Sequence, residues 1–299
     1  METESIVNTP IRIERVLCPV DFSDVSAKAF HYAQSVACHY HAQLILQHVI
    51  ESFRYPEGDF AALPAYYDEF RQALITKAQG ELRLFLDLYG GVEPDCVIED
   101  STATDAILSL ARARDASLIV MGTHGRRGFD HLMLGSATER VLRHSPCPVL
   151  AIPARCPDET GTGLAADSVE VRQILCCVDF SKNSERALDH AISLAGAFGA
   201  DLTTLHVISD PTDVVTETDD SVEKLQKLVA PSLVDPEKIH FEVRLGKAYR
   251  EILDFAADAK PDLIVMGVRG RNALDLAVFG STTYRVVQLS TAPVLTVPI

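Results

Sequence analysis

VMGTHGRRGFDHLMLGSATERV, residues 120–141, ends an apolar run at Gly122. It sets Gly125 after two intervening residues and reaches a Gly135-Ser136 pair after nine more. The chain writes the pattern again as VMGVRGRNALDLAVFGSTTYRV, residues 265–286, with the same intervals between Gly267, Gly270 and Gly280-Ser281. Glycine lacks a Cβ, so its backbone can take φ > 0 and approach a ligand closely, offering N–H groups to an anion. Gly135-Ser136-Ala137-Thr138 reads as the entry of a helix, whose free N–H groups and dipole favour negative charge.

Working outward from the two stretches, most of the chain repeats. VLCPVDFS (16–23) recurs as ILCCVDFS (174–181), and LILQHVI (44–50) as LTTLHVI (202–208), each displaced by 158 positions. The displacement falls to 145 by Gly122 and Gly267, so the first copy carries thirteen extra residues between its second and third strands. ARCPDETGTGLAADSVEV, residues 154–171, lacks helical or strand periodicity and reads as an exposed linker. The expected division is a first domain over 1–153, a linker over 154–170 and a second domain over 171–299.

Short β-branched runs alternate with helical patterns in each copy. Strands are expected at 15–20, 43–49, 95–100, 117–122 and 147–152, and again at 173–178, 201–207, 239–245, 262–267 and 293–298. Helical faces are read from Ala29, Ala33, Val36 and Ala37, and from Phe70, Leu74, Ala78 and Leu82. Strict alternation means parallel strands with crossover helices. The fold class is α/β: two tandem doubly wound domains, each with a five-stranded parallel sheet. Such sheets bind ligands beyond the carboxyl ends of their strands, where strand order reverses. If strand 4 returns beside strand 1, that crevice lies between Val20-Asp21-Phe22-Ser23 and Met121-Gly122.

The features together describe a phosphate cradle, with Ser136 and Thr138 as hydroxyl donors and Arg126 or Arg127 as neutralising charge. Further basic residues are Arg140 and Arg143 in the first copy and Arg269, Arg271 and Arg285 in the second. Each part has a plainer reading as well: G-x-x-G is common turn chemistry and Gly135-Ser136 serves equally as a helix start. Asp21 and Asp179 either open the turn into the first helix, with Ser23 or Ser181 as its cap, or bind ribose hydroxyls. His48 and His206, at the end of strand 2, fit a packing role better than a catalytic one. His124 is answered by Arg269, which excludes a shared catalytic histidine there.

A net charge of −15 speaks against non-specific nucleic-acid binding. No apolar run has membrane-spanning length and the start, METESIVNTPIRIERV, lacks a secretory pattern, so the expected location is the cytoplasm. The seven cysteines are odd in number, contain no C-x-x-C pair and mostly sit in apolar runs, as buried small hydrophobes do.

These residues resemble the universal stress protein family along nearly the whole chain. The family's nucleotide-binding branch carries G-x2-G-x9-G-[ST], matched by Gly122, Gly125, Gly135 and Ser136 and by Gly267, Gly270, Gly280 and Ser281. The resemblance implies ATP, with Mg2+, as ligand. Adenine and ribose would lie near Pro19, Asp21, Val49 and Met121, and the triphosphate over Gly122, His124, Gly125, Arg126 and Arg127 and over Gly135, Ser136, Ala137 and Thr138. By position the second copy would use Asp179, Val207 and Met266, then Gly267, Arg269, Gly270 and Arg271, then Gly280, Ser281, Thr282 and Thr283. Two departures are visible: Cys177 answers Pro19, and Ser101 stands where the family's glycine is kept as Gly246. The resemblance also implies pairing through the last strands, CPVLAIP and APVLTVP, whose apolar edges invite association. That gives an intramolecular pseudo-dimer, open to pairing again as a homodimer. Three functions stay open: an ATP-occupied stress regulator acting through a protein partner, a slow ATP hydrolase or phosphotransferase, and a scaffold. No Walker A motif is present, and Asp130 and Asp275 in the loops make poor bases.

Overall fold

The computed structural model describes residues 11–51, 64–125, 133–156, 169–209, 214–229, 234–268 and 280–298. The expected site residues Arg126, Arg127, Arg269, Gly270 and Arg271 lie outside them, as do Asp130, Asp275 and most of the expected linker.

The first copy runs β1 (Arg15–Val20), α1 (Asp24–Tyr40), β2 (Gln43–Ile50), α2 (Pro64–Tyr89), β3 (Asp95–Asp100), α3 (Ala103–Ala113), β4 (Leu118–Gly122), α4 (Ser136–His144) and β5 (Val149–Ile152). The second runs β6 (Gln173–Cys177), α5 (Lys182–Phe198), β7 (Asp201–Ile208), α6 (Val214–Val229), β8 (Ile239–Leu245), α7 (Ala248–Ala259), β9 (Leu263–Gly267), α8 (Ser281–Leu289) and β10 (Val294–Val297). All ten expected strands are present, with ends shifted by one or two residues where strands fray. Part of the first copy's extra length goes into α2, which has 26 residues against 16 in α6.

The strand order is β3-β2-β1-β4-β5-β10-β9-β6-β7-β8. Within each copy all pairings are parallel, and β4 returns beside β1 as β9 returns beside β6. Order therefore reverses where the glycine motif begins. The copies join at β5 and β10, which pair antiparallel with Leu295 opposite Leu150, so the two five-stranded sheets form one ten-stranded sheet. Antiparallel joining points the carboxyl ends of the two copies' strands in opposite directions, and the two crevices open at opposite sides of the molecule.

Each face of the sheet carries one core running through both copies. Phe30, Ala33, Leu82 and Phe85 of α1 and α2 share a cluster with Leu188, Ile192, Leu225 and Val229 of α5 and α6. On the other face Ile107 and Leu142 of α3 and α4 share one with Ile252 and Val286 of α7 and α8. Phe70 departs from expectation: it is exposed, and α2 faces the core through Ala78, Leu82 and Phe85.

The contact between copies is reciprocal, as a two-fold arrangement requires. The Ile11 N–H donates to Ser193 Oγ at 2.8 Å, and the Val169 N–H donates to Ser35 Oγ at 2.7 Å. Ile11 and Val169, like Ser35 and Ser193, are equivalent under the 158-residue repeat. His39, near the end of α1, stacks on Phe198 of α5 with ring centroids 4.1 Å apart. Among the described residues no helix is long and apolar enough to cross a membrane.

Candidate functional site

Each crevice starts from a corner after the first strand. Asp21 Oδ1 accepts from the Ser23 N–H at 3.1 Å and from Ser23 Oγ at 2.6 Å; Asp179 and Ser181 repeat this at 3.1 and 2.6 Å. Ser23 and Ser181 also cap their helices, accepting from the N–H groups of Ser26 and Ser184. The residue between, Phe22 or Phe180, is left-handed with φ of 62° or 58°. A bulky side chain takes that conformation only when its surroundings hold it, and such strain gathers at functional corners.

His48 and His206 do the holding. Each shares its Nδ1 with the carbonyl at the end of the first strand, Val20 at 2.8 Å or Val178 at 2.7 Å. Each ring also packs on the left-handed phenylalanine, with centroids 4.3 and 4.4 Å apart. Both histidines are buried, which agrees with the packing role read from sequence.

The glycines work through close approach rather than left-handed backbone. Of the described glycines only Gly199 and Gly246 have positive φ, which corrects the expectation for Gly122 and Gly125. A Cβ on Gly122 would sit 2.8 Å from Val25 Cγ1, and one on Gly267 would sit 2.9 Å from Asn183 Nδ2 and 3.0 Å from the Asn183 carbonyl oxygen. These glycines let the end of strand 4 lie against the first turn of the opposing helix. A Cβ on Gly125 would sit 2.7 Å from Asp21 Oδ2, so the motif's second glycine passes directly over the corner carboxylate.

Helices α4 and α8 begin at Gly135 and Gly280, neither with a side-chain cap, and their first residues Ser136 and Ser281 are exposed. Orphan N–H groups at an uncapped, accessible helix start suit an anion. The start is tied to the strand end: the Gly135 N–H donates to the Thr123 carbonyl at 2.8 Å and the Gly280 N–H to the Val268 carbonyl at 3.0 Å. Thr138 and Thr283 are buried, and each hydroxyl donates at 2.9 Å to the carbonyl of Gly122 or Gly267. They differ here from the phosphate donors read from sequence, because the helix turns them back toward the strand. Ala137 and Thr282 are half-buried beside them.

The remaining expected residues frame the crevice. Pro19 and Val49 are half-buried and Met121 is buried; Cys177, Val207 and Met266 take the equivalent places. Burial pushes the Cys177 thiol up to about 12, with Asp179 adding to the rise, so it stays a neutral packing group. His124 is buried beside Thr123, whose Oγ1 lies 2.9 Å from its Nδ1. Arg143 pairs with Glu139 on its own helix at 2.7 Å, while Arg140 is exposed. Sequence reasoning missed the left-handed phenylalanines and the residues beneath the glycines, Val25 and Asn183. The repeated Asp-Phe-Ser was the available signal for the first.

Fold and crevice thus define a tandem doubly wound α/β protein with an uncapped helix start facing a carboxylate corner at each switch point. The model of the universal stress protein family matches residues 12–153 and 170–298. The chain belongs to that family. A universal stress protein of Mycolicibacterium smegmatis is 28% identical over 295 residues, covering 94% of this chain and 96% of that protein. One from Thermus aquaticus is 30% identical over 137 residues, 46% of this chain and 96% of its own. Among solved structures, a universal stress protein from Archaeoglobus fulgidus has a TM-score of 0.68 at 22% identity, covering 96% of this chain and 97% of that one, a likeness of fold.

Proposed function

We propose that each half of the chain, 1–153 and 171–299 about the linker 154–170, binds one ATP, and that the protein is a stress regulator whose state follows nucleotide occupancy with little turnover. The observation that carries the reading is the pairing, in both copies, of an uncapped glycine helix start with a corner carboxylate across the switch point. The N–H groups of Ser136 to Thr138 and of Ser281 to Thr283 suit phosphate oxygens, with magnesium arriving on the triphosphate. Asp21 and Asp179, fixed by their serines, suit ribose hydroxyls, and the apolar sides of Val49, Met121, Val207 and Met266 suit a purine. Bound ATP supplies charge that orders whatever touches the cradle, which is how occupancy reaches a protein partner. The proposed location is the cytoplasm.

The test is to purify the protein without added nucleotide, denature it and quantify released nucleotide by ion-exchange chromatography, followed by Mg-ATP titration. The expected capacity is two equivalents of ATP per chain. Gly122 and Gly267 are packing positions, so valine there damages the fold; Gly125→Ala instead drives a methyl against the Asp21 carboxylate. That variant is expected to retain one equivalent. Two full-affinity sites in Gly125→Ala would sink the assignment, and released ADP would move the reading to hydrolysis.

A further inference from the structure

Helix α2 presents an apolar line to solvent. Phe70, Leu84, Leu88 and Tyr89 lie on this helix, half of the eight exposed large apolar side chains among the described residues. The second copy has no such line: its counterpart α6 has 16 residues against 26, and its exposed large apolar side chains, Val214 and Val215, sit in its first turn. A feature carried by one of two repeats is not a requirement of the fold. An apolar stripe left in water marks a surface for a partner.

The spacing says which partner. Phe70, Leu74, Lys77, Glu81, Leu84 and Leu88 follow at intervals of four and three residues in alternation, the repeat of a coiled-coil seam. Leu74 is half-buried, Leu84 and Leu88 are 63% and 69% exposed, and the side chains of Lys77 and Glu81 are 71% and 31% exposed, so the line is open along its length. Ala78, Leu82 and Phe85, on the adjoining face, are buried in the chain's own core and hold the helix in that orientation.

The six residues are self-complementary when the direction is reversed: two apolar, one cation, one anion, two apolar. With a second α2 laid antiparallel and centred on residue 79, Phe70 meets the partner's Leu88, Leu74 meets the partner's Leu84 and Lys77 meets the partner's Glu81. Each contact is then made twice, as a two-fold axis requires. A parallel pair would set lysine on lysine and glutamate on glutamate. Within one chain Lys77 Nζ and Glu81 Oε1 lie 3.8 Å apart, so the antiparallel pair closes a cluster of four charges of alternating sign between apolar layers. Gly80 flanks the centre, and a Cβ there would meet no described residue outside its own stretch of helix within 4 Å. Glycine weakens an exposed helix interior; here it leaves room for a second backbone to come close.

The edges of the last strands are already used, because β5 and β10 join the two copies. Pairing between chains needs another surface. We infer that α2 is that surface, and that two copies of the chain associate through an antiparallel α2 seam. From Phe70 to Leu88 the seam covers roughly 27 Å of helix. That is a small interface, and small interfaces make exchanging dimers rather than permanent ones.

The test is sedimentation equilibrium of the full chain over a range of concentrations. A monomer–dimer exchange with a dissociation constant of roughly micromolar order is expected. Leu84→Lys places a charge in an apolar layer and is expected to weaken the dimer by about tenfold or more. The melting temperature of the diluted protein stays the same, since Leu84 is exposed in the single chain. Lys77→Glu and Glu81→Lys each set like charges at the centre and are each expected to weaken the dimer by about tenfold. The double variant returns both ion pairs with their signs exchanged and is expected to restore it. Mixed in equal amounts, the two single variants are expected to pair with each other. A chain that stays monomeric up to about 100 µM, a dimer indifferent to Leu84→Lys, or a double variant no better than the singles would each overturn the inference. No seam residue belongs to the proposed nucleotide crevices, so the outcome is independent of that reading.

Discussion

Replacing Thr138 and Thr283 by valine separates two roles for the helix-start hydroxyls. In the structure each donates to a strand-end glycine carbonyl at 2.9 Å, and their residues are 4% and 3% exposed, so water does not replace a deleted hydroxyl. Valine keeps the shape and removes the donor, leaving the Gly122 or Gly267 carbonyl short of a partner. A cost of about 1–3 kcal/mol per site follows. Taking ~1.5 kcal/mol each, and adding them because the sites lie in separate copies, the double variant loses about 3 kcal/mol. With an unfolding entropy near 2.1 cal/mol/K per residue, that lowers the melting temperature of a chain this long by about 5 °C. The assay is calorimetry of nucleotide-free protein beside titration with Mg-ATP. Stability is expected to fall by that amount, and ATP affinity severalfold, through a loosened strand end. An unchanged melting temperature with a loss of affinity of tenfold or more would refute the reasoning and return the hydroxyls to the phosphate.

Three further outcomes are expected. Removing both reciprocal contacts, Ser35→Ala with Ser193→Ala, leaves the Val169 and Ile11 N–H groups without those partners and costs about 2–4 kcal/mol; unfolding remains one calorimetric transition because both cores span the copies, and two separated transitions would contradict the shared core. Thiol alkylation of the native protein near pH 8 reaches the exposed Cys38 and Cys96 and spares the five buried cysteines. Cys38 reacts first, since burial and the nearby Asp95 and Glu93 raise the Cys96 thiol; fast labelling of Cys147 or Cys177 would show the core to be open. Stability falls in alkali: burial lifts Cys147 from 9.0 to about 11, so the unfolded chain loses that proton first, and stability present below pH 9 is lost as pH rises toward 11. A Cys147→Ala variant with an unchanged alkaline limb of the stability profile would remove this cause.

Much of this was legible before any coordinates. The alternation of β-branched runs with helical patterns located all ten strands, because parallel strands covered on both faces read as continuous apolar runs. The 158-residue displacement exposed the duplication, and Ser23 and Ser181 were recognisable as caps because N-cap chemistry is local. Phe70 was misread because periodicity marks a helical face without saying which of its turns the rest of the fold covers. Thr138 and Thr283 were assigned to a ligand because spacing places a hydroxyl at a helix start and leaves open whether the strand end will take its proton.

The sequence by itself determined the repeat, the order of elements and the glycine motif, since these rest on local propensity and on periods of 2 and 3.6 residues. Only the tertiary structure decided which glycines face a helix turn and which a carboxylate, that β5 and β10 join two sheets into one, and that Gln47 donates to Glu99 across two strands. Each of these depends on contact between residues far apart in the chain, set by how sheets pair and helices pack. A hydrogen bond between Gln47 and Glu99, 52 positions apart, leaves no trace in either residue's neighbourhood until β2 and β3 lie side by side.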